Sequence, residues 1–279
     1  MEKQTTKSKG GNKEKVMSFW DHLEELRGHV IRSLIAVVVL AIIAFLNRHI
    51  IFDKVILAPS KPDFITYKLL NELGTFLHAP SLSINAVNLK IININLSGQF
   101  LMHMYVSAVV GVILAFPYVL WEIWRFVQPA LLSKEKKYSR GGLFFSTFLF
   151  LTGVVFSYFL IVPIMVNFLG SYSVSPDVVN QITLNSYIST ITSMLFAVGI
   201  VFELPILVYF LTRIGVVTPQ FLKKNRKYMV VILLTIAAII TPPDVFSQLL
   251  VFIPLEILYE VSILVSKRVY KKAQRRAAE

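Results

Sequence analysis

The chain has 279 residues, 55% hydrophobic and only 16% charged, with a formal net charge of +12 and no cysteine. A soluble domain of this length does not need several uncharged runs of twenty or more residues. Such runs mark transmembrane helices, so the reading is an all-α integral membrane protein. The missing cysteines exclude disulfides, thiolate nucleophiles and Cys-ligated zinc.

Placement of the basic residues argues against nucleic acid as a partner. Of the 28 Lys and Arg, 23 fall in four segments: the first 32 residues, 125–140, 213–227 and 267–276. Connections 169–186 and 242–246 contain none. This asymmetry fixes topology, with basic loops inside, and attraction to anionic lipid is secondary.

In chain order, residues 1–17 are polar and lysine-rich and read as a disordered cytoplasmic tail. They are not a cleavable signal peptide, because the apolar run begins late and has no small-residue cleavage pattern after it. Residues 18–27 read as a short amphipathic helix, with Ser18 as N-cap and Asp21 at N3. The first span is 30–52, with Arg32 and Arg48 snorkelling to opposite surfaces. A long outer loop, 53–98, follows; 67–76 suits a surface helix and 88–96 a short strand.

The second span is 99–121, and 122–140 is expected as a cytoplasmic loop. The third and fourth spans are 142–168 and 187–211, followed by a cytoplasmic return at 212–228. The fifth span, 229–241, is short, and the sixth is 247–266. A helix of that fifth length rises about 20 Å, less than the ~30 Å hydrocarbon core. Six spans make a membrane domain over 18–266, a basic cytoplasmic tail over 267–279, and both termini inside. Prolines 117, 163, 205 and 254 lie within spans, so bent helices of unequal length and a concave bundle are expected.

Glu203 is the lone charge in the apolar run 185–211. A charge at that depth costs roughly 2.5–3.5 kcal/mol on insertion scales, so it marks a functional site or a neutral carboxyl bonded to a neighbouring helix. There is no P-loop, GxSxG, HExxH or paired-carboxylate motif, so neither enzyme activity nor a metal or other cofactor is expected. The five scattered histidines suit interfacial or packed positions. Trp121 and Trp124 suit an interfacial anchor. Two further acids stand out at the expected cytoplasmic face: Glu25, with local pairing to His29 at i+4 as the plain alternative, and Glu135, flanked by lysines.

Five motifs, in order and at compatible topology, together resemble the TatC family of the twin-arginine protein translocase. They are HLEELR at 22–27, Ala58-Pro59, WRFVQPA at 124–130 followed by Glu135, FELP at 202–205, and TPPDVFSQ at 241–248. The resemblance implies a non-enzymatic core and receptor subunit of the bacterial inner membrane that exports folded precursors on the proton-motive force. It implies signal-peptide binding by Glu25, Arg27, Phe126 and Glu135, since carboxylates give a guanidinium pair bidentate, charge-assisted bonds. It implies an intramembrane polar site at Glu203, Thr241 and Gln248, facing a single-span subunit of the TatA/TatB type. Pro59, Pro129, Pro205, Pro242, Pro243 and Asp244 then take structural roles. Lipid and further copies of the chain complete the implied partners.

The chain departs from the family pattern in its longer outer loop, in Gln99 where proline is usual, and in Glu256, one turn before Glu260. Two other readings are a proton-coupled small-solute carrier using Glu203, Glu256 and Glu260, and a membrane scaffold whose acids only fix helix packing. The lack of an internal repeat and the surface position of the best motifs favour docking over carriage.

Overall fold

The computed structural model describes residues 19–78, 89–127, 133–178, 180–242 and 244–277, without the side chains of 19–22, 133–140, 273, 276 and 277. The expected tail 1–17 and the proposed N-cap Ser18 lie outside the described residues, as do Pro129 and Pro243. Helices dominate, and five of the described helical segments are long and apolar enough to cross a membrane: Leu23–Leu46, Gly98–Val127, Gly141–Ser171, Leu184–Arg213 and Val245–Lys272.

α1 runs without a break over Phe19–Leu46, merging the expected amphipathic helix with the first span. Gly28 does not interrupt it, because a single glycine in a helix interior costs only about 1 kcal/mol and no proline follows. Only 11% of its apolar window is buried, so most of that surface suits contact with lipid. A π-helical stretch, Ile50–Ile56, and a 3-10 turn, Ala58–Ser60, lead to α2, Ile65–Phe76. α3 covers Gly98–Val127 and α4 covers Ser133–Phe156, so the expected loop 122–140 is mostly helix. Its basic residues extend both helices beyond the apolar runs, which is why composition alone read them as a loop.

The third expected span is α4, a π-helical turn at Ser157–Ile161, and α5 at Val162–Ser171. The fourth is divided into α6, Leu184–Val201, and α7, Leu204–Arg213. Pro205 cannot donate to the carbonyl four residues earlier, and the break falls at Phe202-Glu203. α8 is Pro219–Lys224, α9 is the short Arg226–Ile240, and α10 runs from Val245 through Ala277. Pro117 and Pro254 lie inside continuous helices.

α1 packs chiefly on α3, α4 on α6, and α10 on α7 and α9. Gly111 sets the first of these: a Cβ there would stand 2.7 Å from the backbone nitrogen of Ala41. The core gathers around α5, α6 and α10, with Ile161, Ile188, Met194, Val251 and Leu255 fully enclosed.

The long connection after α1 is folded onto this core. Strand β1, Ile91–Ile92, pairs in parallel with β2, Ile182–Thr183, in the register Ile91–Ile182. Pro163 leaves the carbonyl of Phe159 without its helical donor, and the Thr66 hydroxyl of α2 donates to that oxygen. The neighbouring Tyr67 hydroxyl lies 2.9 Å from both the Pro59 and the Pro163 carbonyls. Burial pushes the Tyr67 hydroxyl up to about 12, so it stays a donor. Tyr187 closes the same region by donating to the Ile56 carbonyl at 2.9 Å.

Tyr67→Phe should lower the stability of the detergent-solubilised protein by about 1–3 kcal/mol, because two buried carbonyls lose their donor. A thermal unfolding midpoint equal to wild type would contradict that assignment.

Candidate functional site

Two polar sites are built into this apolar frame. The first lies where α1 begins and α3 ends. Glu122 of α3 is 1% exposed, and its Oε2 lies 2.5 Å from His29 Nδ1 and accepts from Arg32 Nε at 3.1 Å, while Arg32 Nη2 lies 2.9 Å from the same His29 nitrogen. Arg125 Nη1 stands 3.8 Å from Oε1, while its guanidinium lies over the Trp121 ring at 5.2 Å. Removing one partner of such a buried pair typically costs about 3–5 kcal/mol. The carboxylate therefore fixes the crossing of α1 and α3.

Around this clasp sit residues expected from the motifs. Glu25 is one turn before His29, but His29 turns to Glu122, and the Oε2 of Glu25 is buried without a hydrogen-bond partner among the described residues. Arg27 is exposed and makes no ion pair among the described residues. Phe126, one turn after Glu122, meets His29 edge-on at 6.0 Å. Glu135 lies in the first turn of α4, at the end that follows α3, and its side-chain contacts lie outside the description. Trp124 stacks on Phe210 of α7 at 5.5 Å, bringing the end of α7 to the same side.

The second site is the break between α6 and α7. Ser146 of α4 donates to Glu203 Oε2 at 2.5 Å, and Oε1 is buried without a partner. Beside it, Phe202 and Pro205 line an apolar groove of about 680 Å³, with Phe145, Phe148 and Leu258 on its walls and Arg268 also on its lining. Thr241 and Gln248 bond the α9 backbone instead, to Ala237 and Leu234 at 2.9 and 3.1 Å. Among the described residues no hydrogen bond joins them to Glu203. Asp244 caps α10 by accepting from the Ser247 backbone N–H at 2.6 Å, and Pro242 precedes it in the turn. Pro59 supplies one of the two carbonyls that Tyr67 bonds. On α10, Glu260 pairs with Arg226 at 2.6 Å, while Glu256 Oε2 is buried without a partner.

No group of three or more His, Asp or Glu suited to a metal occurs among the described residues. Sequence reasoning passed over Glu122, having placed it in a loop. Two signals were available: it is the sole acid between positions 73 and 134, and Glu25, His29 and Arg32 form a polar stripe at i, i+4 and i+7 that needs a partner.

A family model described as Sec-independent protein translocase protein (TatC) matches residues 21–254. The chain is 43% identical over 263 residues to the Sec-independent protein translocase protein TatC of Blattabacterium sp. (strain BPLAN), covering 94% of this chain and 99% of that one. It is 35% identical to TatCy of Bacillus subtilis (strain 168), covering 94% and 93%. A crystal structure described as the twin arginine translocase receptor TatC superposes with a TM-score of 0.66 at 34% identity, over 89% of this chain and 99% of the other. A second, in the detergent DDM, gives 0.70 at the same identity, over 88% and 99%. These relatives are translocase components, a role in transport.

Ser146→Ala leaves both Glu203 oxygens without a described donor and should lower stability by about 1–3 kcal/mol. Thermal unfolding of the purified variant beside wild type measures this; an unshifted midpoint contradicts it.

Proposed function

Because the chain belongs to the TatC family and is thus a membrane-embedded subunit of the twin-arginine translocase, we propose that it is the core subunit that receives signal peptides there. Glu25 and Glu135 take the two arginines of the signal, Phe126 packs beside them, and Arg27 orients the acids. The observation that carries this reading is the Glu25 carboxylate, whose Oε2 is withdrawn from water and has no partner among the described residues. A buried acceptor left open costs about 1–3 kcal/mol, which an incoming guanidinium would recover as a charge-assisted bond.

In this reading α9 is a sixth, short span, both termini are cytoplasmic, and the carboxylates lie at the inner face of a bacterial cytoplasmic membrane. The basic flanks of the spans support that orientation. Glu203, with its unpartnered Oε1, meets a polar group of a single-span TatA/TatB-type subunit, with Thr241 and Gln248 extending the polar patch. Family likeness supports export of folded precursors, use of the proton-motive force and assembly with further copies of the chain. A carrier relay has less support, since Glu203 bonds Ser146 on α4 while Glu260 bonds Arg226 on α9.

Glu25→Gln or Glu135→Gln should weaken crosslinking to a twin-arginine signal peptide, with membrane insertion intact. Unchanged crosslinking in both variants overturns the receptor reading. Glu203→Ala should keep signal crosslinking and lose co-purification with the single-span subunits; normal assembly would remove Glu203 from that role.

A further inference from the structure

Glu25, His29 and Arg32 stand four and three residues apart, so they share one stripe of α1. In an isolated helix this spacing favours local neutralisation of Glu25. His29 is one turn away, and Arg32 is two turns away, about 10 Å along the axis. That separation lies within the combined reach of extended arginine and glutamate side chains. Arg32 also leans toward the helix N-terminus, as helical side chains do, and so toward Glu25.

The fold prevents that pairing. His29 Nδ1 and Arg32 Nε both converge on the Oε2 of Glu122, at 2.5 and 3.1 Å. Electrostatics favours this arrangement: Glu122 is 1% exposed, so its attraction for a cation is screened far less than that of a partly exposed carboxylate. Arg125, the nearest basic residue on α3, is also turned to Glu122, at 3.8 Å. Three potential partners are thereby drawn to one carboxylate, and Glu25 keeps an oxygen with no partner among the described residues.

We propose that Glu122 is a positioning residue of the signal site: by holding His29 and Arg32 against α3, it keeps the Glu25 carboxylate open for an arginine from outside the chain. This rests on the receptor reading given above. Glu122 does not touch the signal. It acts by removing the cations on α1 that would otherwise compete for Glu25.

A purely structural role for the clasp makes the opposite prediction in one double variant. If Glu122 only braces α1 against α3, then Glu122→Ala harms binding and the further loss of Arg32 cannot help. If Glu122 sequesters Arg32, then Glu122→Ala harms binding because Arg32 occupies Glu25, and Arg32→Gln on that background restores it.

The test measures affinity of the full-length protein in detergent. The probe is a fluorescent signal peptide carrying an Arg-Arg pair, with its Lys-Lys version as control. Glu25→Gln, Glu122→Ala, Arg32→Gln and the Glu122→Ala/Arg32→Gln double are compared, each checked for a single monodisperse peak. Glu122→Gln replaces Glu122→Ala in both backgrounds if the alanine variant fails that check. We expect Glu122→Ala to lose roughly tenfold in affinity or more, as for loss of a charge-assisted bond, and the double variant to recover most of it. Arg32→Gln alone should bind the peptide more tightly than Glu122→Ala.

Wild-type affinity in Glu122→Ala, or a double variant as weak as the single, overturns the proposal while a weakened Glu25→Gln leaves the receptor reading standing. Full binding by Glu25→Gln overturns the receptor reading, and the role of Glu122 falls with it.

Discussion

A carboxylate cut off from water at the rim of a lipid-embedded bundle must find its cations and donors inside the protein. Glu122 meets that requirement with His29, Arg32 and Arg125, and the first two come from a different helix. The bond across α1 and α3 therefore does two things at once. It fixes where α1 begins relative to the end of α3, and it determines which acid on α1 is left over. Gly111 lets the two backbones approach closely enough for the clasp to close. The position of Phe126 against His29 follows from the same contact.

The opposite end of the bundle obeys the same rule through backbone groups. Unpaired carbonyls are costly away from water, and each irregularity there has a side-chain donor assigned to it. Thr66 takes the carbonyl that Pro163 orphans, Tyr67 joins Pro59 to Pro163, and Tyr187 and Tyr158 take the carbonyls of Ile56 and Val55. The long segment after α1 is thus a folded cover. A polar break in the middle, at Glu203, is supported on α4 by Ser146. Each polar site holds a carboxyl oxygen without a partner among the described residues.

Much of this was legible in the sequence because lipid imposes a strong pattern. The long apolar runs, the bend at Pro205 and a short strand near Ile91 follow from hydropathy, a missing N–H and alternation, whereas the parallel pairing of that strand with Ile182–Thr183 did not. The helix at Ile65–Phe76 was legible in the same way, although Tyr67 points into the core where a surface helix was expected. What composition hid were the helical extensions beyond the membrane. Basic residues after Trp121 read as a loop, yet α3 continues through Val127, and that continuation is what buries Glu122. The merger of the amphipathic segment with the first span was hidden for a related reason: the charged residues up to Arg27 set the two apart in composition, although one glycine between them costs a helix only about 1 kcal/mol. Pairing was the least legible layer. His29 lies one turn from Glu25 in sequence, but its partner is 93 residues away.

The claim on which this account depends is that acids at the inner face take the paired guanidinium groups of an arriving protein. Co-purification with a folded precursor carrying an Arg-Arg signal, beside the same precursor with Lys-Lys, measures it most directly. Lysine keeps the charge but loses the planar fork that matches a carboxylate, so the Arg-Arg precursor should be retained and the Lys-Lys form largely lost. Equal retention of the two would contradict the account.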